Sequence, residues 1–238
     1  MERLRSVDRD RIARNLEGVR ERIAKAAGRA GRDPAAIRLV AVTKTVEVPV
    51  VEALLELGVT DLGESRPEEL VRKRLELDRP ATWHLIGHFQ RKKIPRSLPW
   101  CDVVHSVHDL PLLSTLDQKR RAQDPPASPL PVLIQVNASG ESSKQGFSTR
   151  DAADAIELAE ALGYVDARGF MTMAPHDATE AELREVFGRL RDLRDELGAE
   201  RFPELSMGMS GDFEIAIEEG ATLVRIGSAL FDGVDEPR

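Results

Sequence analysis

The sequence predicts an α/β protein, a single (β/α)8 barrel of the TIM type with an extra N-terminal helix. Three observations lead there. Eight short β-rich runs alternate with amphipathic segments, and such alternation builds parallel sheets that close as barrels. The 238 residues suit one barrel, so 1–238 reads as one domain. No Gly-rich turn follows the first strand, as the competing doubly wound open sheet would normally carry.

The elements follow in order. Over 6–28, Ile12, Leu16, Val19 and Ile23 recur at helical spacing and define one face of the extra helix. Its arginines (Arg5, Arg9, Arg11, Arg14, Arg20 and Arg22) alternate with acids, which fits a solvated face better than an RNA-binding one. Strands are predicted at 38–42, 60–63, 82–86, 102–106, 132–137, 166–171, 204–207 and 223–226. Helices fall between them at 49–57, 67–77, 110–122, 149–162 and 179–197. The intervals 91–98 and 212–219 are shorter, and Pro95 and Pro99 keep the first of them brief. The stretch QDPPASPLP, 123–131, reads as a loop before strand five, because the alternation resumes beyond it.

Composition narrows the function. Apolar residues make up 41% of the chain, enough for a core, but with one Tyr, two Trp and seven Phe the packing falls to aliphatic side chains. The net charge of −7, with acids and bases interleaved, offers no basic patch for nucleic acid. A single cysteine, Cys101, excludes an intramolecular disulfide and a Cys-based zinc cluster. The five histidines stand apart from carboxylates at metal-ligand spacing, so no metal is expected. No apolar run approaches the ~18 residues of a membrane span. The opening MERLRSVDRDR is unlike a signal peptide, which points to a soluble, cytoplasmic protein. With no added dimerisation segment, a monomer is the simplest expectation.

In barrels of this type the carboxyl ends of the strands converge on the functional site. Those ends carry Lys44, Glu64 with Ser65, His84 with Gly87 and His88, His105, Asn137, Met173, Ser210, and Arg225 with Gly227 and Ser228. His84 also reads as a core histidine, and His105 and His108 as loop or cap residues. SMGMSGD (206–212) and VRIGSALFDG (224–233) end strands seven and eight, where such barrels commonly hold a phosphate on backbone N–H groups. In RLVAVTKTVEV (38–48) an apolar run ends in Lys44, a costly residue to bury. One reading is a lysine that packs its stem and reaches solvent. The other is an amine in a partly dry mouth, free to attack a carbonyl. A phosphate-bearing aldehyde satisfies both ends, whether pyridoxal 5′-phosphate or a sugar phosphate.

At these residues the sequence resembles the pyridoxal-phosphate homeostasis protein family. The matching motifs are LVAVTKT (39–45), WHLIGHFQRKK (83–93), VLIQVNASGESSKQGF (132–147), RGFMTMAP (168–175), LSMGMSGDFEIAI (205–217) and VRIGSALFDG (224–233). The family looks like the isolated barrel domain of alanine racemase. The resemblance implies pyridoxal 5′-phosphate in a Schiff base on Lys44, its phosphate at Ser210, Gly227 and Ser228, and Arg225 at the pyridine nitrogen. Ser65, His84, Asn137 and Met209 are further candidate contacts; Ser65 stands where the family often has asparagine.

A racemase-like barrel invites an enzyme assignment, which the chemistry disfavours. Racemisation needs a base on each face of a carbanion. The racemase takes one from a second domain, and the one tyrosine here, Tyr164, precedes strand six at the far end of the barrel. An arginine beside the pyridine nitrogen also disfavours its protonation and weakens the ring as an electron sink. Storage, buffering and delivery of the cofactor to apo-enzymes is therefore the leading expectation, with a PLP-dependent amino-acid racemase as the alternative.

Overall fold

The computed structural model describes residues 6–123, 128–141 and 145–234. Eight parallel strands pair in chain order and the first closes on the last, so the barrel is complete. They are β1 (Arg38–Val42), β2 (Asp61–Glu64), β3 (Thr82–Leu85), β4 (Val103–Val107), β5 (Leu130–Gln135), β6 (Val165–Met171), β7 (Glu204–Ser206) and β8 (Leu223–Ile226). The main helices are α1 (Ser6–Arg29), α2 (Val48–Glu56), α3 (Pro67–Glu76), α4 (Ile94–Ser97), α5 (Leu110–Arg121), α6 (Ala152–Ala161), α7 (Glu180–Gly198), α8 (Phe213–Glu218) and α9 (Ser228–Phe231).

Strand residues divide by parity, as the two-residue pleat requires. Ala41, Leu62, Leu85, Val104, Ile134, Phe170, Leu205 and Val224 pack outward into the core shared with the helices. Their neighbours Val40, His84, His105, Leu133, Ser206 and Arg225 are buried outside that cluster, on the inner face. Helix starts use local chemistry: Asp109 accepts from the Leu112 N–H, and Thr179 with Glu182 forms a capping box. Pro95 sits in the first turn of α4, a four-residue helix flanked by 3-10 turns, as the proline spacing predicts.

α1 buries Ile12, Leu16, Val19 and Ile23, as expected. Its arginines do more than face solvent. Arg22 and Arg29 pair with Glu214 and Glu218 of α8 at 2.9 and 2.6 Å, and Arg11 donates to the Asp232 carbonyl. Arg5 lies outside the described residues.

Strand five corrects the sequence reading, running 130–135 and not 132–137. The Leu130 N–H already bonds the Tyr164 carbonyl at 2.9 Å, so pairing begins ahead of Pro131. His105 is corrected too. It lies within β4, fully buried, and is neither a loop nor a cap residue. Of the loop at 123–131 and the motif at 132–147, residues 124–127 and 142–144 lie outside the described residues.

Candidate functional site

Closure brings the expected residues together. β1 pairs with β8 in the register Ala41↔Ile226, so Lys44, two residues past β1, neighbours Gly227 and Ser228 at the end of β8. A Cβ on Gly227 would sit 3.3 Å from the Val42 Cβ and carbonyl oxygen, so glycine lets the two strand ends approach. Ser210, after β7, joins them: its Oγ accepts from the N–H groups of Gly227 and Ala229, both at 3.3 Å. The two N–H groups thus converge on one oxygen. Gly208, at φ 92°, makes the preceding bend; a Cβ there would lie 2.7 Å from that of Ala216.

Lys44 itself is exposed in the turn after β1. The partly dry mouth expected for it is absent: Thr43 is buried, but the lysine side chain is solvated. Ser228 is also exposed and Ser210 half-buried.

Arg225 is the opposite case. Almost fully buried on the inner face of β8, it donates from Nη1 to the Ser206 carbonyl at 2.8 Å and to Ser206 Oγ at 2.6 Å. Its Nη2 donates to the Thr172 carbonyl at 3.0 Å. Burial pushes the guanidinium down to about 10, against the opposing pull of the Asp212 carboxylate. Asp212 is itself raised by burial, which the Met209 N–H and Arg225 only partly offset.

Four further candidates fare differently. His84 is fully buried with both ring nitrogens occupied, one by Asp61 at 3.0 Å and one by His105 at 2.9 Å, so the core-histidine reading holds for it and neither nitrogen is left for a ligand. Asn137 turns its amide into its own loop, donating to the Glu141 carbonyl and accepting from Ser139 and Gly140. Met209 and Asn137 line a cleft of about 370 Å³ together with Gln135 and Met173. Ser65 is half-buried, and its carbonyl would lie 2.2 Å from a Cβ on Gly87, which fixes the close approach of the second and third strand ends. His108, in the loop before α5, bonds the Ser106 carbonyl, as a cap residue would.

Glu64 leaves the mouth altogether. It accepts from Lys73 Nζ of α3 and from Thr43 Oγ1, each at 2.7 Å, while Lys73 also donates to the Thr43 carbonyl at 2.6 Å. The sequence reading of the mouth did not include Lys73, Asp61 or Ser206. For Ser206 a signal existed: it lies at the inner parity of β7, as Arg225 does in β8. Lys73 had none, since a charged helix residue normally faces water. Among the described residues no three His, Cys, Asp or Glu side chains are grouped to hold a metal ion, and no helix is long and apolar enough to cross a membrane.

Known proteins share the barrel fold. The family model described as the alanine racemase N-terminal domain matches residues 7–234. The pyridoxal phosphate homeostasis protein of Pseudomonas aeruginosa is 42% identical over 228 residues, 94% of this chain and 96% of the relative. That of Aquifex aeolicus is 39% identical, covering 91% of this chain and 95% of its own. PipY of Synechococcus elongatus, solved with PLP bound, superposes with a TM-score of 0.79 at 29% identity, covering 92% of this chain and 99% of PipY. Alanine racemase of Clostridium difficile shares the fold alone, at 17% identity and a TM-score of 0.74, over 93% of this chain and 56% of the racemase.

Proposed function

The chain belongs to the pyridoxal phosphate homeostasis proteins, within the alanine racemase N-terminal domain family, and on that premise we propose that it binds pyridoxal 5′-phosphate and stores, buffers and delivers it inside the cell. One observation supports the reading: strand pairing puts Val42, two residues before Lys44, beside Gly227, whose N–H and that of Ala229 point at Ser210 Oγ, with the buried Arg225 two residues before Gly227 on β8.

The cofactor offers three chemical handles, and the residues fit each. Lys44 supplies the amine for the aldehyde. Ser210, Ser228 and the Gly227 N–H supply neutral donors for the phosphate, and N–H groups already aimed at one oxygen suit an anion. Arg225 can only donate, so it suits a ring nitrogen that carries no proton. Bound, the cofactor supplies an electron sink for carbanion chemistry. An unprotonated ring is a weak sink, which favours holding and hand-over above turnover. The racemase alternative lacks an evident second base: Tyr164 precedes β6 at the amino-terminal end, its backbone tied to Asp117 and Leu130.

In this reading the chain is one barrel domain, works as a cytoplasmic monomer, and hands its cofactor to apo-enzymes that need it. The test is borohydride reduction of the loaded protein followed by peptide mapping. A pyridoxyl-phosphate adduct on Lys44, with visible absorbance lost in Lys44→Ala, supports it. An adduct of another mass, or on another residue, overturns it. Loss of α-deuterium from amino acids into water would favour the racemase.

A further inference from the structure

The inner face of the barrel holds a continuous run of side-chain hydrogen bonds that the cofactor reading does not use. From Arg225 Nη1 it passes to Ser206 Oγ at 2.6 Å, from Ser206 to His105 Nδ1 at 2.9 Å, from His105 Nε2 to His84 Nδ1 at 2.9 Å, and from His84 Nε2 to Asp61 Oδ1 at 3.0 Å. Asp61 opens β2 at the amino-terminal face. There it lines a cavity of about 540 Å³ with Arg20, Arg38, Thr60, Glu204 and Thr222. The run therefore crosses the barrel from the face opposite Lys44 to the arginine beneath it.

The ends of the run fix its direction. A guanidinium has donors and no acceptor, and an ionised carboxylate has acceptors and no donor. From the ionised Asp61 end, a neutral His84 donates its Nε2–H to the carboxylate and accepts at Nδ1 from the Nε2–H of a neutral His105. His105 Nδ1 then accepts the Ser206 hydroxyl hydrogen, while the Ser206 oxygen accepts from Arg225. One proton fills each of the four contacts, and both imidazoles are neutral. A second proton on His84 would put two hydrogens between the rings.

The electrostatics agree for His105. Burial is the largest cause holding it well below the ordinary histidine value, and the Arg225 and Arg38 cations act in the same direction. Burial alone would raise Asp61, but its hydrogen bond to His84, with help from Thr60 and Arg38, holds it below the ordinary carboxylate value. Among the described residues no carboxylate is hydrogen-bonded to Arg225; Asp212 is the carboxylate whose charge acts on it.

We propose that Asp61, His84, His105 and Ser206 are positioning residues, a one-way hydrogen-bond chain that holds Arg225 as a fixed donor. The proposal rests on the cofactor reading only for what Arg225 faces.

Two measurements test it. Long-range 15N–1H spectra of the protein without cofactor should show His84 and His105 each protonated on Nε2 alone at about pH 7. An imidazolium, or a proton on Nδ1, at either histidine overturns the chain. The second uses Ser206→Ala, which cuts the chain next to Arg225. Loaded with pyridoxal phosphate, it should show a displaced visible band and about tenfold faster cofactor loss, the size expected for one hydrogen bond to a charged group. Ser206→Thr, which keeps the hydroxyl, should restore both. An unchanged band and unchanged retention in Ser206→Ala overturn the positioning role. If the wild type takes up no cofactor, the cofactor reading fails by itself, and the histidine spectra still decide the chain.

Discussion

Two buried charged clusters lie within one barrel, and they are built differently. In the wall between β2 and α3, Lys73 and Glu64 meet directly at 2.7 Å, both almost without exposure. Inside the barrel, Arg225 and Asp61 are held apart by a serine and two histidines. The wall pair cancels its own charge on the spot and leaves nothing to offer a ligand; even its spare oxygen, Glu64 Oε2, has no hydrogen-bond partner among the described residues. The inner cluster leaves a cation that has no carboxylate hydrogen-bonded to it, with Asp212 acting only through its charge, and whose donors are only partly used. A short pair suits a joint, and a stretched one suits a site.

The largest effect should come from unbalancing the wall. Lys73→Met leaves Glu64 buried without its counter-charge, held only by Thr43 Oγ1, and chemical denaturation should report a loss of about 3–5 kcal/mol. Adding Glu64→Leu to it should recover much of that loss, because an apolar pair needs no charge cancelled. If the double variant is no more stable than the single, the wall pair contributes more than mutual neutralisation.

Inside the barrel the loss should be smaller. Ser206→Ala removes one charge-assisted bond and should cost about 1.5–3 kcal/mol by the same measurement. A loss as large as that of Lys73→Met would erase the distinction between the clusters.

A pH effect should separate them further. The folded value of His105 is depressed below its ordinary 6.5, so the unfolded chain binds more protons below that pH. The stability held above pH 6.5 should fall as the pH drops, by up to about 1.4 kcal/mol per pH unit from this group. His105→Gln should flatten that slope between about pH 6.5 and pH 5. An equal slope in wild type and variant would assign the acid sensitivity elsewhere.

The smallest stability change belongs to the mouth. Lys44 is exposed, so Lys44→Ala should shift stability by no more than about 0.5 kcal/mol while removing the visible absorbance of the loaded protein.

The same contrast explains what the sequence discloses. β1 and β8 match their predicted limits because both are apolar runs bounded by turn formers, and the mouth residues lie just past them. Lys44, Ser210, Gly227 and Ser228 could therefore be grouped from strand order alone. Glu64 could not be placed, because position at a strand end does not say which face a side chain takes; parity sends it outward to a helix lysine nine residues on. His105 was hidden for a related reason. A histidine inside a strand looks out of place until its partners, 21 and 101 residues away, are known.

The join between β1 and β8 has a consequence for how the protein is made. Lys44 leaves the ribosome nearly two hundred residues ahead of Ser228. The contacts around it depend on the final strand, so a nascent chain carries the lysine for most of its synthesis with no site beside it. Contacts between distant parts of a chain form late. The mouth is thus completed only when the eighth strand closes the ring, and a truncated or stalled chain has Lys44 without the end of β8 beside β1.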